Sequence, residues 1–409
     1  MAEVTNYIDR LAAELCPEGV EYRPLGELLG YEQPTKYLVS SKDYDDSYPT
    51  PVLTAGKTFI LGYTNETEGI YPASKEEPVI IFDDFTTAFK WVEFPFKAKS
   101  SAMKMLTLKS GNNSLFKYVY YAMQCIVYNS SDHARQWISK YSNIEVPVPP
   151  LEIQEAIVEI LDKFTNLEAE LEAELEARTL QYEYYRGSLF GALKDPATGL
   201  PAIAGLVKTL CPDGVEYRSL KDVVAKNYGG GTPSKSKAEY WGGGIPWASV
   251  GDLSDDVLEV TDTRSKITEE GVKGSSTNVV PAGSVIVAIK INPGRMKIAG
   301  MDLAINQDIR GLVLNDSMNA RFLTYYFRTL VFAGHGTIVK SITNKHLMET
   351  KIPVPPMEIQ EAIVDILDRF DALTSSLSEG LPAELAARRS QYEYYRDQLL
   401  SFPRKGENQ

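Results

Sequence analysis

Apolar residues at Ile153, Ile157, Ile160, Phe164, Leu167 and Leu171 step along the chain by threes and fours. That spacing makes one stripe on a helix. The same pattern returns at Ile359, Ile363, Ile366, Phe370, Leu373 and Leu377. Prolines 147, 149 and 150 end the preceding strand-like stretch and suit a helix start. The run LEAE-LEAE-LEAR within 165–180 is built of strong helix formers. The pattern predicts a helix over 151–190, and forty such residues span ~60 Å. The second helix meets Gly380-Leu381-Pro382, where a break is predicted, and resumes through Ala383 to Leu400. Shorter apolar runs predict strands at Val79–Phe82, Lys104–Leu108, Ser284–Ile289 and Gly311–Leu314, and helices at Leu115–Tyr128 and Ala320–Phe332. Asp195 to Pro201 is a turn-rich linker.

The chain repeats itself. LCPEGVEYRPLGEL at 15–28 and LCPDGVEYRSLKDV at 210–223 share nine of fourteen residues. LEIQEAIVEILDKF at 151–164 and MEIQEAIVDILDRF at 357–370 share eleven of fourteen, each after a VPVPP or IPVPP entry. QYEYYR stands unchanged at 181–186 and 391–396. The offsets of the three blocks are 195, 206 and 210, so the copies differ in length between blocks. Two repeats are too few for a solenoid and suit a pseudo-two-fold molecule. The expected fold is α+β. Two similar modules, residues 1–150 and 201–356, are separated by the repeated helices at 151–200 (with linker) and 357–409. The helices are expected to pair as an antiparallel coiled coil that holds the modules apart. The plainer alternative folds each helix onto its own domain.

Composition narrows the class. The 409 residues are 44% hydrophobic and 24% charged, which is globular and implies more than one domain. No run of 18 apolar residues exists, and the acidic N-terminus is no signal peptide. Three cysteines and three histidines lack metal spacing, so neither a disulfide framework nor a zinc site is expected. A cytoplasmic protein is the expectation. The net charge of −13 argues against a simple basic coat on DNA. The acid is unevenly spread: residues 151–200 hold 4 Lys and Arg against 11 Asp and Glu, residues 201–350 hold 17 against 15. An acidic helix is a poor phosphate binder; it reads as a solvated face or a protein-docking surface.

Phosphate-binding chemistry is sought instead in the module loops. Lys97, Lys99, Ser100, Ser101 and Lys104 form one cluster; Thr232, Ser234, Lys235 and Lys237, after Gly229-Gly230-Gly231, form another. Lysine, serine and glycine-freed N–H groups are what phosphates meet. His133, Arg135 and Gln136 carry groups that match base edges, arginine to guanine and glutamine to adenine. Asn306 and Gln307 do likewise, or bond within the fold. Further polar loop positions complete the candidate DNA-binding set: Thr54, Lys57, Thr86, Ser249, Arg295, Lys340 and Asn344.

Signals for catalysis fail on inspection. Gly56-Lys57-Thr58 lacks the P-loop's earlier glycine, because Pro51 stands there. Asp83-Asp84 is a possible metal pair, though a strand-end turn accounts for it. Asn292-Pro293-Gly294 is the nearest approach to an adenine methyltransferase motif and does not match it. No GxSxG or Cys/His dyad is present. No catalytic residue, metal site or cofactor site is assigned.

With both LCPxGVEYR openings, the GGGTPSKSKAEYWGGGIPWASVGDL stretch at 229–253, the PVPPxEIQEAIVxILD helix starts and the twin QYEYYR blocks, the chain resembles the specificity subunit of Type I restriction-modification systems. The resemblance covers nearly its whole length. It implies two target-recognition domains, each reading half of a bipartite asymmetric site in double-stranded DNA. It implies that the conserved helices bind two modification subunits, which carry S-adenosylmethionine and methylate adenine at N6. It implies restriction subunits that cleave unmethylated DNA, and no membrane partner. Two competing readings are a coiled-coil adaptor without DNA contact and a metal-dependent nuclease using Asp83 and Asp84. If the helices act as a ruler, four residues are worth ~6 Å, or one to two base pairs at ~3.4 Å each.

Overall fold

The computed structural model describes residues 2–56, 58–128, 134–254, 257–332, 341–375 and 380–406. Contacts group the chain into two compact units, Met1–Ala169 with Ala387–Gln409, and Glu170–Ala386.

In the first unit the run VIIFD forms the strand Val79–Asp83, central in a sheet ordered Leu29–Glu32, Met103–Leu108, Val79–Asp83, Phe89–Val92. Its neighbours run antiparallel, pairing Phe82 with Lys104 and Phe82 with Phe89. Side chains alternate between faces along a strand. Val79 and Ile81 enter a core with Leu53, Phe96 and Met105; Ile80 and Phe82 enter another with Tyr118, Ile153 and Ile157. Burial on both faces explains the unbroken apolar run. The first core is closed by a second sheet, Ile60–Thr64, Thr50–Leu53 and Lys97–Ala98, whose last two strands are parallel.

The second unit repeats this plan. Its main sheet is Val224–Gly229, Ile309–Leu314, Val285–Ala288, Met296–Ala299, Glu259–Val260; its second is Ser265–Ile267, Trp241–Ala248, Leu303–Ile305, Val279–Val280. Val285 and Val287 face one core, Ile286 and Ala288 the other. Trp241–Ala248 and Leu303–Ile305 form the matching parallel pair. Each unit also has a two-stranded clasp, Glu21–Pro24 with Glu145–Val148 and Tyr217–Ser219 with Lys351–Pro353. The expected strands are present within a residue or two. The module helices are shorter than expected, Phe116–Gln124 and Ala320–Phe327.

The long helices join the modules' cores. Helix Leu151–Gly191 is continuous over 41 residues and contributes to both units. In the second, Met357–Ser375 and Leu381–Leu399 are helical and Gly380 is a bend. The expected break is thus met at Gly380, while Leu381 and Pro382 already belong to the resumed helix. Ile153, Ile157 and Leu161 are buried in the first unit, and Ile359, Ile363 and Leu367 in the second. The stripe therefore turns inward at Leu161 and Leu367, where Ile160 and Ile366 had been expected and are only partly buried. Leu377 lies outside the described residues.

Each helix start packs on the QYEYYR block of the other repeat. In the first unit Phe164 lies 5.7 Å from Tyr395 and 6.5 Å from Tyr392, and Glu168 pairs with Arg389 at 2.6 Å. The rising and falling numbers make this an antiparallel pair. In the second unit Phe370 lies 6.4 Å from Tyr182 and 5.1 Å from Tyr185. Leu399 and Leu400 enter the first core; Leu189 and Phe190 enter the second. No described helix is long and apolar enough to cross a membrane.

Candidate nucleic-acid interface

In each unit three loops meet at one end of the paired sheets. The parallel strands set the geometry, because both end there. In the first unit the Lys99 N–H donates to the Leu53 carbonyl at 3.0 Å; in the second the Asn306 N–H donates to the Ala248 carbonyl at 3.0 Å. This places Thr54 and Lys99 where Ser249 and Asn306 stand in the other unit. A hairpin turn joins them. The Asp84 N–H donates to the Ala102 carbonyl at 3.0 Å, and the Ile289 N–H to the Asp308 carbonyl at 2.8 Å. The rim therefore consists of a strand end, a loop (99–102 or 306–308) and a hairpin tip (84–87 or 289–294).

The candidate residues from the sequence divide at this rim. Thr54, Thr86, Lys99, Ser100 and Ser101 share the first rim; Thr232, Ser249, Arg295, Asn306 and Gln307 share the second. Thr54 donates to the Thr58 carbonyl at 2.6 Å, and Lys99 to the Tyr44 hydroxyl at 2.8 Å. Arg135 is exposed beside the first tip, since the N–H of Gln136 donates to the Asp84 carbonyl at 2.8 Å. On the second rim Thr232 donates to the Gln307 amide oxygen. Arg295 ties the hairpin to the neighbouring loop through the carbonyls of Leu253 and Ser254. Ser249 caps the short helix Val250–Leu253 with Asp252. Ser234, Lys235 and Lys237 are exposed in the following loop, with Lys237 on the Tyr240 hydroxyl at 2.9 Å. Asn344, two residues after Ile342, accepts from Asn227 at 3.2 Å; the Ile342 N–H donates to the Ile289 carbonyl at 2.9 Å. Lys57, His133 and Lys340 lie outside the described residues.

Several expectations need correction. Lys104 is 1% exposed and pairs with Asp84 at 3.0 Å, so it does not face solvent. A charge that deep survives only when paired. Lys97 is buried on Glu66 at 2.7 Å and donates to the Glu68 carbonyl at 2.7 Å. Gln136 is buried, its amide bonded to Tyr128 and the Ala134 carbonyl. Asn306 is buried and its side-chain oxygen accepts the Asp308 N–H at 3.0 Å, which is fold-internal bonding. The triple glycine serves close packing: a Cβ at Gly230 would stand 1.8 Å from the Asn306 carbonyl oxygen, and one at Gly231 2.3 Å from Ser276 Oγ. The Gly231 N–H is already given to the Ile305 carbonyl at 3.0 Å.

The aspartate pair is a turn. Asp83 accepts the N–H groups of Phe85 and Thr86 at 2.9 and 2.8 Å, and Asp84 holds Lys104 and the Trp137 N–H. Among the described residues no group of three potential metal ligands forms.

Sequence reasoning missed two features. One is the matching of the two hairpin tips, of which it picks out only Thr86 and the Asp83-Asp84 turn; its signal is turn-forming residues between two apolar strands. The other is the buried amide pair Gln154 and Gln360. Gln154 accepts from the Leu115 N–H and donates to the carbonyls of Asn113 and Pro149. Gln360 accepts from the Asn319 N–H and donates to those of Ser317 and Pro355. Beside them Tyr121 bonds Asp162, and Tyr325 bonds Asp368. These bonds fasten each module to its helix and so fix how the rim is presented.

Comparison with known proteins agrees with this duplicated plan. The sequence model of the Type I restriction modification DNA specificity domain matches residues 17–177 and 212–387. The EcoR124I/EcoR124II Type I restriction enzyme specificity subunit of Escherichia coli is 46% identical over 98% of both chains. A putative type I restriction enzyme specificity subunit of Haemophilus influenzae, S.HindORF215P, is 27% identical over 94% of this chain and 96% of that one. The crystal structure of the S subunit from M. genitalium superposes with a TM-score of 0.55 at 15% identity, covering 93% of this chain and 96% of that one. A chain from work on complex assembly and conformational transition of the type I system gives 0.54 at 17%, covering 93% and 97%. A duplicated α+β module, matched helix starts and two matches to one domain family leave one assignment: the chain belongs to the family of Type I restriction-modification DNA specificity subunits.

Proposed function

We propose that the chain reads an asymmetric, bipartite site in double-stranded DNA, the first module one half and the second the other. Its family role is target recognition, and it is a non-catalytic subunit. The observation that carries the reading is the repeated rim. Both units build it from matching loops, yet with Thr54, Lys99 and Ser100 in one and Ser249 and Gln307 in the other. Like geometry with unlike side chains fits two unlike half-sites. Phosphates on either side would be met by exposed Arg135, Lys235 and Lys237.

Two modification subunits would dock on the helices and bring S-adenosylmethionine; they methylate adenine at N6, and restriction subunits join them for cleavage. Tyr184 and Tyr394 support two docking points. Each is the first Tyr of a Tyr-Tyr pair in its QYEYYR block, each follows a glutamate, and both are well exposed. Exposed aromatics at matched places suit two copies of one partner.

Methylated-base mapping of DNA from cells carrying the modification partner, with and without this gene, tests the reading. The expected result is an N6-methyladenine motif of two unlike halves around a fixed gap, lost without the gene. An unchanged methylation pattern would overturn it.

A further inference from the structure

Among the described residues, only Thr87 (φ 58°) and Ile291 (φ 71°) adopt left-handed backbone without being glycine. Both lie in the turns of matching hairpins, Val79–Asp83/Phe89–Val92 and Val285–Ala288/Met296–Ala299. Thr87 stands where the second turn has Gly294, each donating its N–H to the strand-end carbonyl of Asp83 or Ala288 at 2.9 Å, and Ile291 stands three residues before Gly294. For a β-branched side chain this conformation is costly, and it persists only where the surroundings enforce it.

The surroundings do so in both modules. At the first tip Asp83 holds two N–H groups and accepts the Thr87 N–H on its carbonyl at 2.9 Å, while buried Asp84 is gripped by Lys104 and Trp137. At the second, Lys290 pairs with Asp308 at 2.8 Å, Arg295 is bonded to two carbonyls, and Gly294 (φ 90°) packs under the Phe332 ring.

Each rigid tip pushes one large apolar side chain into solvent. Phe85 is 40% exposed and Ile291 56%. Polar groups flank them: Thr86 and Arg135 at the first, Asn292 and Lys290 at the second. A held apolar group amid donors and cations matches a DNA groove, where the thymine methyl is the one apolar mark on a base edge.

We propose that Phe85 and Ile291 are specificity-determining residues, each reading a thymine methyl in the major groove of its own half-site. The proposal rests on the DNA-reading role given above and adds where within each module an apolar contact is made. The two side chains differ in shape, so the thymine need not stand at the same place in both halves.

The test uses the complete complex of this chain with its modification subunits and a duplex carrying the mapped site. Each thymine is replaced in turn by deoxyuridine, which lacks only the methyl. The wild-type complex should lose about fourfold in affinity at one thymine in each half, the worth of one buried methyl. With Phe85→Ala that loss should vanish in one half and remain in the other; with Ile291→Ala the reverse. Phe85→Leu and Ile291→Val keep an apolar group and should keep part of the discrimination, which guards against a variant that merely unfolds. Wild-type indifference to every methyl, or alanine variants that discriminate like wild type, would overturn the proposal. A wild-type complex with no preference for the mapped site would instead overturn the DNA-reading role.

Discussion

The lysines of the first module divide by where their ammonium groups end. Lys104 faces Asp84 in the interior, at 1% exposure for both side chains. Removing one member of such a pair leaves a buried charge, at a cost of about 3–5 kcal/mol. Lys104→Met should therefore lower the melting temperature sharply. Lys235→Ala, on the exposed loop of the second module, should leave melting unchanged and reduce the slope of log K against log salt by about one. Equal effects on melting would show that the two lysines were wrongly separated. Acid should weaken both modules, each through a different carboxylate. The Lys97 ammonium, with the N–H groups of Ser41 and Ser40, holds the Glu66 carboxyl below its usual range. Burial pushes Asp252 up, but Ser249 and Arg264 outweigh it and hold it below its usual range too. A lowered folded pKa stabilises above the unfolded value, and that contribution is lost as pH falls through the folded one. At this scale the sequence misled where lysines alternate through strands. KAKSSAMK reads as one basic patch, yet strand register points Lys97 and Lys104 inward, to acids distant in sequence. Lys99, past the end of the strand Lys97–Ala98, stays at the rim.

Helices and strands were more legible than their joints. The steps from Ile153 and Ile359 announce amphipathic helices because burial against one core needs that period. The run VIIF announces a strand buried on both faces. The glutamines in the EIQEAIV segments looked like ordinary polar positions, since two of the three partners of each are backbone groups some forty residues away. Gln154 and Gln360 each satisfy one N–H and two carbonyls in the interior. A buried polar group left unpaired costs about 1–3 kcal/mol. Gln154→Leu should destabilise the first unit by at least that much, and Gln360→Leu the second. Hydrogen exchange would check it: each variant should lose protection at its own helix start and module helix, 116–124 or 320–327. Loss confined to solvent-facing amides would count against the joint. The helix stops at Gln124 and Phe327 were not legible, because no glycine or proline marks them.

Over the whole molecule, duplication was legible because three blocks recur in one order. Which block completes which unit was not. The LEAE run lies within the continuous helix Leu151–Gly191, where its glutamates are mostly exposed. Lengthening it therefore disturbs little packing. Four more residues add ~6 Å and turn the helix about 40° beyond a full turn. Adding one LEAE unit should widen the gap between half-sites by about one to two base pairs, and mapped methylation with the same gap would refute the ruler.

The exchange of QYEYYR blocks has an evolutionary consequence. Because 181–186 and 391–396 are identical in sequence, each block is chemically able to seal either helix start. A gene shortened to its first half would still encode one helix start and one sealing block. Two copies of that short chain could each lend the other the block it needs, and both recognition modules would then be the same. Such an assembly would read a palindrome, so a single truncation is a route from an asymmetric target to a symmetric one, and fusion of two unlike half-genes is the route back.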